Sequence, residues 1–193
     1  MDQSALQTLT RLIRKLSYRE GDFTLSSGKK SNFYIDLKAT TLHPDGAYWI
    51  GKAAVELLEN LVPQKNWEIQ GVGGLTLGAD PMATALSLAA REKGWKWPAF
   101  IVRKESKLHG TYKYIEGTEN LPPKAKVLVL EDVITTGKSS LVAIERLREA
   151  GYEPLATLAV VDREEGGKEA LQKMGVELIS LTTLQEIRKG SEA

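Results

Sequence analysis

Apolar residues recur along this chain in two alternating rhythms. Leu6, Leu9, Leu12, Ile13 and Leu16 fall at helical spacing, so the chain opens with an amphipathic helix whose apolar face carries these five residues. Phe23-Thr24-Leu25 and Asn32-Phe33-Tyr34-Ile35-Asp36 flank a Ser26-Ser27-Gly28 turn and predict two short strands. A helix is expected after Pro44, with Ile50, Ala54, Leu57, Leu58 and Leu61 inward. Beyond it, short apolar runs alternate with helical patterns. Strands are expected near 69–72, 98–102, 126–131, 155–161 and 176–181, and helices near 80–93, 137–150, 166–174 and 183–189. This β-α alternation predicts an α/β fold with a mostly parallel sheet flanked by helices. The opening helix and the two short strands do not fit the rhythm and predict a small N-terminal hood over the sheet edge. We therefore expect one domain over 1–193, with about 1–42 as hood and N-terminal helix and about 43–193 as core.

Composition narrows the function classes. Basic and acidic residues number 26 and 25, so no global charge draws the chain to nucleic acid or membrane. No stretch of about 18 apolar residues occurs, and the N-terminus does not read as a signal peptide. The expectation is a cytoplasmic protein with neither nucleic-acid nor membrane partners. There is no cysteine and there are two histidines, which leaves no thiolate chemistry and no His-rich metal centre.

The most informative segment runs from Val127 to Ser140. Val127-Leu128-Val129-Leu130 is continuously apolar, as in a strand covered on both faces. Glu131 and Asp132 stand where that strand is expected to end. Val133, Ile134, Thr135, Thr136, Gly137, Lys138 and Ser139 then lead into a helix marked by Leu141, Ile144 and Leu147. The loop N–H groups and the helix dipole attract a phosphate, and the carboxylates accept hydrogen bonds from sugar hydroxyls. Gly137-Lys138-Ser139 invites a nucleoside-triphosphate reading, but that cradle needs a glycine where Asp132 stands. An ordinary turn with Thr135 or Thr136 as helix cap explains one hydroxyl but not two carboxylates at a strand's end, where ligands gather in open α/β sheets.

Three further segments leave strand ends. Arg103, Lys104, Lys107 and His109 form a basic patch between Val102 and Gly110, suited to gripping and releasing a diphosphate, or simply a solvated charged loop. Arg163 ends the 155–161 strand, where its fork suits a planar carboxylate, or a surface pair with Glu164 or Glu165. Gly71-Val72-Gly73-Gly74-Leu75-Thr76-Leu77-Gly78 is dense enough in glycine for backbone to approach a ligand closely.

Taken together, these segments resemble the orotate phosphoribosyltransferases, of the type I phosphoribosyltransferase class. Glu131 to Ser139 resembles the class's phosphoribosyl-diphosphate motif. Phe23 to Ser31 resembles the orotate enzymes' hood, Arg103-Lys104 with Lys107 and His109-Gly110 their mobile catalytic loop, and Asp162-Arg163 with Glu165-Gly166 their orotate-contacting segment. Two positions differ from the common pattern: Ser26 replaces a frequent lysine, and Leu75-Thr76-Leu77 replaces a frequent Tyr-Lys pair. The resemblance implies the type I phosphoribosyltransferase fold and transfer of a phosphoribosyl group from phosphoribosyl diphosphate to orotate, giving orotidine monophosphate and diphosphate in pyrimidine biosynthesis. The alternatives are another base, or a non-catalytic regulator that binds the donor.

By the same resemblance, the catalytic residues are Lys107, Glu131 and Asp132. The donor is held by Arg103, Lys104, Lys107, His109 and the run Glu131 to Ser139. Orotate is held by Tyr34, Thr135 and Arg163. Mg²⁺ is expected as cofactor, arriving on the donor with no dedicated protein ligands, and a homodimer with shared active sites is implied.

Overall fold

The computed structural model describes residues 4–24, 28, 30–105 and 114–189. Six strands form one sheet in the order β5-β4-β3-β6-β7-β8. These are β3 (Gly71–Leu75), β4 (Ala99–Val102), β5 (Ile115–Glu116), β6 (Lys126–Ile134), β7 (Glu153–Asp162) and β8 (Glu177–Thr183). All pairings are parallel except β4 with β5, at the edge. Central β6 is covered on both faces: Val127, Leu128, Val129 and Leu130 are essentially inaccessible to solvent. Period-two alternation sorts them. Leu128 and Leu130 join the core built with α3 (Pro44–Gln64) and α4 (Ala79–Glu92), including Ile50, Leu58, Met82 and Leu86. Val127 and Val129 join the opposite core, with Ile144 and Leu147 of α5 (Lys138–Glu149) and Leu171 of α6 (Gly167–Lys173).

The opening helix, α1 (Ala5–Ser17), is capped by Ser4, whose hydroxyl accepts from the Gln7 N–H. Its buried stripe is Ala5, Leu9, Ile13 and Ser17. Leu6 is instead exposed, and Leu12 and Leu16 flank the stripe: the apolar arc is wider than the groove it fills. After Pro44, α3 buries Ile50, Ala54 and Leu58 as expected, with Leu57 and Leu61 at the margin.

Several boundaries differ from the sequence expectation. The antiparallel ribbon pairs β1 (Tyr18–Thr24) with β2 (Lys30–Ile35). β1 therefore begins five residues early, through Arg19, Glu20, Gly21 and Asp22, because backbone pairing carries a polar, largely exposed strand that has no apolar alternation. A short helix, α2 (Lys38–Thr41), and edge strand β5 were not expected at all. The glycine-dense run lies mostly inside β3. A Cβ on Gly73 would sit 2.0 Å from the Phe100 carbonyl oxygen, and one on Gly74 2.1 Å from that of Leu130. Those glycines serve close strand packing, and the ligand-side loop shrinks to Thr76, Leu77 and Gly78. Finally, β6 runs on to Ile134, held in register with β7 as far as Asp162, so Glu131 and Asp132 lie within the strand and not beyond it. α7 (Leu184–Lys189) closes the described chain.

Candidate active site

Because Glu131 and Asp132 are still strand residues, they set out toward opposite faces. Glu131 turns to α5, where its Oε2 accepts from Ser140 Oγ at 2.7 Å. Asp132 turns to the start of α4, and a Cβ on Gly78 would meet its Oδ1 at 2.6 Å. A larger residue at 78 would push that carboxylate aside. Glu131 is 8% exposed. Burial, opposed by the Ser140 hydrogen bond and reinforced by the Asp132 charge, lifts its pKa from 4.5 to about 7.

Beyond the acids, Gly137 takes up a left-handed conformation (φ 81°) and starts α5 without any side-chain cap. Neither Thr135 nor Thr136 caps the helix. The first N–H groups of α5 therefore face a hollow of about 40 Å³ lined by Glu131, Val133, Ile134, Thr135, Gly137, Lys138 and Ser139. A dipole end, uncapped donors and hydroxyls around an ion-sized hollow can attract an anion.

The other sequence-predicted residues fall into two groups. Lys104 lies close enough to Glu131 to favour its charged form. Arg103 instead pairs with Glu116 of β5, Nη1 to Oε1 at 3.0 Å. Lys107 and His109, and the hood positions Ser26, Ser27 and Lys29, lie outside the described residues.

Arg163 follows β7, and its N–H donates to the Ile134 carbonyl at 3.0 Å, so its backbone adjoins the end of β6. Its side chain is held elsewhere. It pairs with Glu165 Oε1 at 2.6 Å, lies 5.2 Å from the Phe33 ring centre, and leaves a buried Nε with no hydrogen-bond partner among the described residues. It lines a cavity of about 700 Å³ with Glu20, Glu164, Leu184, Gln185 and Arg188, separate from the hollow at α5. The ring beside Arg163 is thus Phe33. Tyr34, which alternates to the other face of β2, is 42% exposed.

Sequence reasoning passed over several residues here. Lys38 pairs with Asp36 at 2.7 Å and also feels Asp132, so its ammonium is held charged, with a pKa above the usual lysine value. Arg146 of α5 donates to the carbonyls of Arg103 and Lys104, the latter at 3.0 Å, and stacks 4.1 Å from the Tyr114 ring centre. It therefore ties both stems of the basic segment to the helix that starts at the anion hollow. A lysine after the hood and an arginine on a helix face carry no sequence mark of either task.

An open parallel sheet with an uncapped helix start and two acids near the end of the neighbouring strand is the setting in which α/β proteins gather ligands. The family model of the phosphoribosyl transferase domain matches residues 43–187. An orotate phosphoribosyltransferase of Aquifex aeolicus is 47% identical over 184 residues, covering 94% of this chain and 96% of its own length. One from Nostoc sp. is 46% identical over 181 residues, covering 94% of this chain and 84% of its own. The crystal structure of Mycobacterium tuberculosis orotate phosphoribosyltransferase in complex with 5-phospho-α-D-ribosyl 1-diphosphate superposes with a TM-score of 0.77 at 36% identity, over 95% of this chain and 98% of that one. The chain belongs to the phosphoribosyltransferase family and, within it, to the orotate phosphoribosyltransferases.

Proposed function

We propose that this chain performs its family's reaction, transfer of the phosphoribosyl group from phosphoribosyl diphosphate to orotate, as follows. The 5′-phosphate docks on the uncapped start of α5, with Thr135, Thr136, Lys138 and Ser139 around it. Glu131 and Asp132 accept from the ribose hydroxyls and favour the cationic sugar that develops as the C1–oxygen bond breaks. A ring nitrogen of orotate forms the new bond to C1, losing its proton, and diphosphate departs with the bonding electrons. Lys104, Lys107, Arg103 and His109 stabilise the growing negative charge, with Lys107 carrying most of that task. Arg163 receives the orotate carboxylate, exchanging its contact with Glu165 for the substrate, and Thr135 and the Tyr34 segment complete the base site.

The observation that carries this reading is the absence of any side-chain cap on α5 above an ion-sized hollow, with the buried Glu131 beside it. Mg²⁺ fits this donor set as a passenger. Mg²⁺ is commonly held through substrate phosphates and water. When bound, it neutralises part of the diphosphate charge. A role in pyrimidine biosynthesis supports a cytoplasmic location. No helix among the described residues is long and apolar enough to cross a membrane.

The test is a panel of bases assayed with phosphoribosyl diphosphate, following diphosphate release. Orotate should be used far better than uracil or purines, and equal use of a base without a carboxylate would refute the assignment. We further infer a homodimer whose sites are completed by the partner's basic loop. Leu42 after α2, Tyr48 of α3, Leu77 and Leu88 of α4 are large apolar side chains 54–71% exposed, the kind of surface a second copy would cover. Mixing inactive Lys107→Ala chains with inactive Asp132→Asn chains should restore activity, because one site of each mixed dimer then collects both defects and the other none. Verified subunit exchange without recovery would show that each chain completes its own site.

A further inference from the structure

Ser140 is the third residue of α5, 1% exposed, and lies one position beyond the hollow. Its hydroxyl donates to Glu131 across nine residues of sequence, linking the strand that carries the acid to the helix that starts at the anion site. This hydrogen bond is 2.7 Å long and buried. We propose that Ser140 is a positioning residue, which holds the Glu131 carboxylate in the orientation that receives the donor ribose. This rests on the reading of Glu131 as a ribose ligand.

The physical argument is geometric. Glu131 emerges from β6 with a flexible side chain, and its register neighbour on β7 is Ala159, which offers it no polar contact. The charged groups acting on it are Asp132, on its own strand, which repels it, and Lys104, beyond β4, which attracts it; Lys138 of α5 lines the same hollow. Asp132 also shares a side-chain hydrogen bond with Glu131, one that favours its protonated form, whereas Ser140 supplies a short, buried contact that favours the carboxylate. It does so against the pull of burial. Without the hydroxyl, Glu131 would be freer to rotate and more readily protonated, and a neutral acid accepts less strongly from a ribose hydroxyl.

The test compares Ser140→Ala, Ser140→Thr and Glu131→Gln. For Ser140→Ala we expect kcat/KM for phosphoribosyl diphosphate to fall roughly ten-fold or more near neutral pH, the range spanned by hydrogen bonds to charged groups. The loss should shrink as pH rises, because the acid limb moves upward while both proteins become ionised at high pH. Ser140→Thr keeps the hydroxyl and should restore the profile. Independently of turnover, the carboxyl resonance of Glu131, assigned by its disappearance in Glu131→Gln, should titrate at higher pH in Ser140→Ala. Wild-type donor kcat/KM and an unshifted Glu131 titration in Ser140→Ala would overturn the proposal while leaving the ribose reading intact. Unchanged donor use by Glu131→Gln would overturn the ribose reading itself.

Discussion

Two neighbouring turns end adjacent parallel strands and are built alike. Thr135 to Gly137 leads from β6 into α5, and Arg163 to Gly166 leads from β7 into α6. Each starts its helix with a left-handed glycine, at φ 81° and 94°, and neither uses a side-chain cap. They also touch: a Cβ on Gly137 would lie 3.4 Å from the Gly167 Cα. Their fillings differ. The first carries Thr135 and Thr136, which leave the anion hollow open to a ligand. The second carries Glu164 and Glu165, and Arg163 turns back onto Glu165. In the second turn the protein supplies its own counter-charge; in the first it leaves that to the substrate. The backbone thus builds two similar helix starts, and the side chains of each turn set the charge around it.

The largest effect should come from making the first turn resemble the second. Thr136 is exposed, so Thr136→Glu should leave the melting temperature near wild type. Placing a like charge against the incoming phosphate costs several kcal/mol, so donor efficiency should fall ~100-fold or more. A normal donor KM would mean that the phosphate lies elsewhere.

Next is the buried acid beside that turn. Because Glu131 has a higher pKa folded than unfolded, the native state holds its proton more tightly. Its contribution to stability is fully present below about pH 4.5 and is lost as pH rises to about 7. Glu131→Gln removes this dependence while keeping an acceptor for Ser140. The variant should match wild type at low pH and exceed its stability above pH 7 by on the order of 3 kcal/mol. Denaturant unfolding at both ends of the range checks it; parallel curves would mean that burial does not penalise the charge.

The second turn gives the converse test. Arg163→Ala should weaken orotate use by about 1.5–3 kcal/mol and leave donor affinity nearly unchanged. Glu165→Gln, which removes the internal competitor, should lower or preserve the orotate KM. A raised KM there would show that Glu165 positions Arg163 for the base. The smallest effect concerns the basic segment's stems. Arg146→Ala should cost about 1 kcal/mol, or roughly 2–4 °C in Tm, measured by thermal melt. A lower kcat in the same variant would tie that anchor to leaving-group departure.

The alternation of apolar runs determined the α/β class, the central strand and the helix after Pro44, because hydrophobic periods of 2 and 3.6 are local properties. The same run exposed the phosphate turn: apolar strand, acids, hydroxyls and glycine are consecutive, so their spacing is covalent. What joins distant segments was not legible. β1 is polar and exists through its pairing with β2, and the glycines of β3 answer to Phe100 and Leu130 on neighbouring strands. Alternation within β6 can be read once the strand's true end is known, but that end is set by pairing with β7. Only tertiary structure therefore sent Glu131 to Ser140 and Asp132 to Gly78, laid Arg163 against Phe33, and tied the basic segment to α5 through Arg146. These are contacts between residues far apart in sequence, chosen by packing, and no local period encodes which partner a side chain will meet.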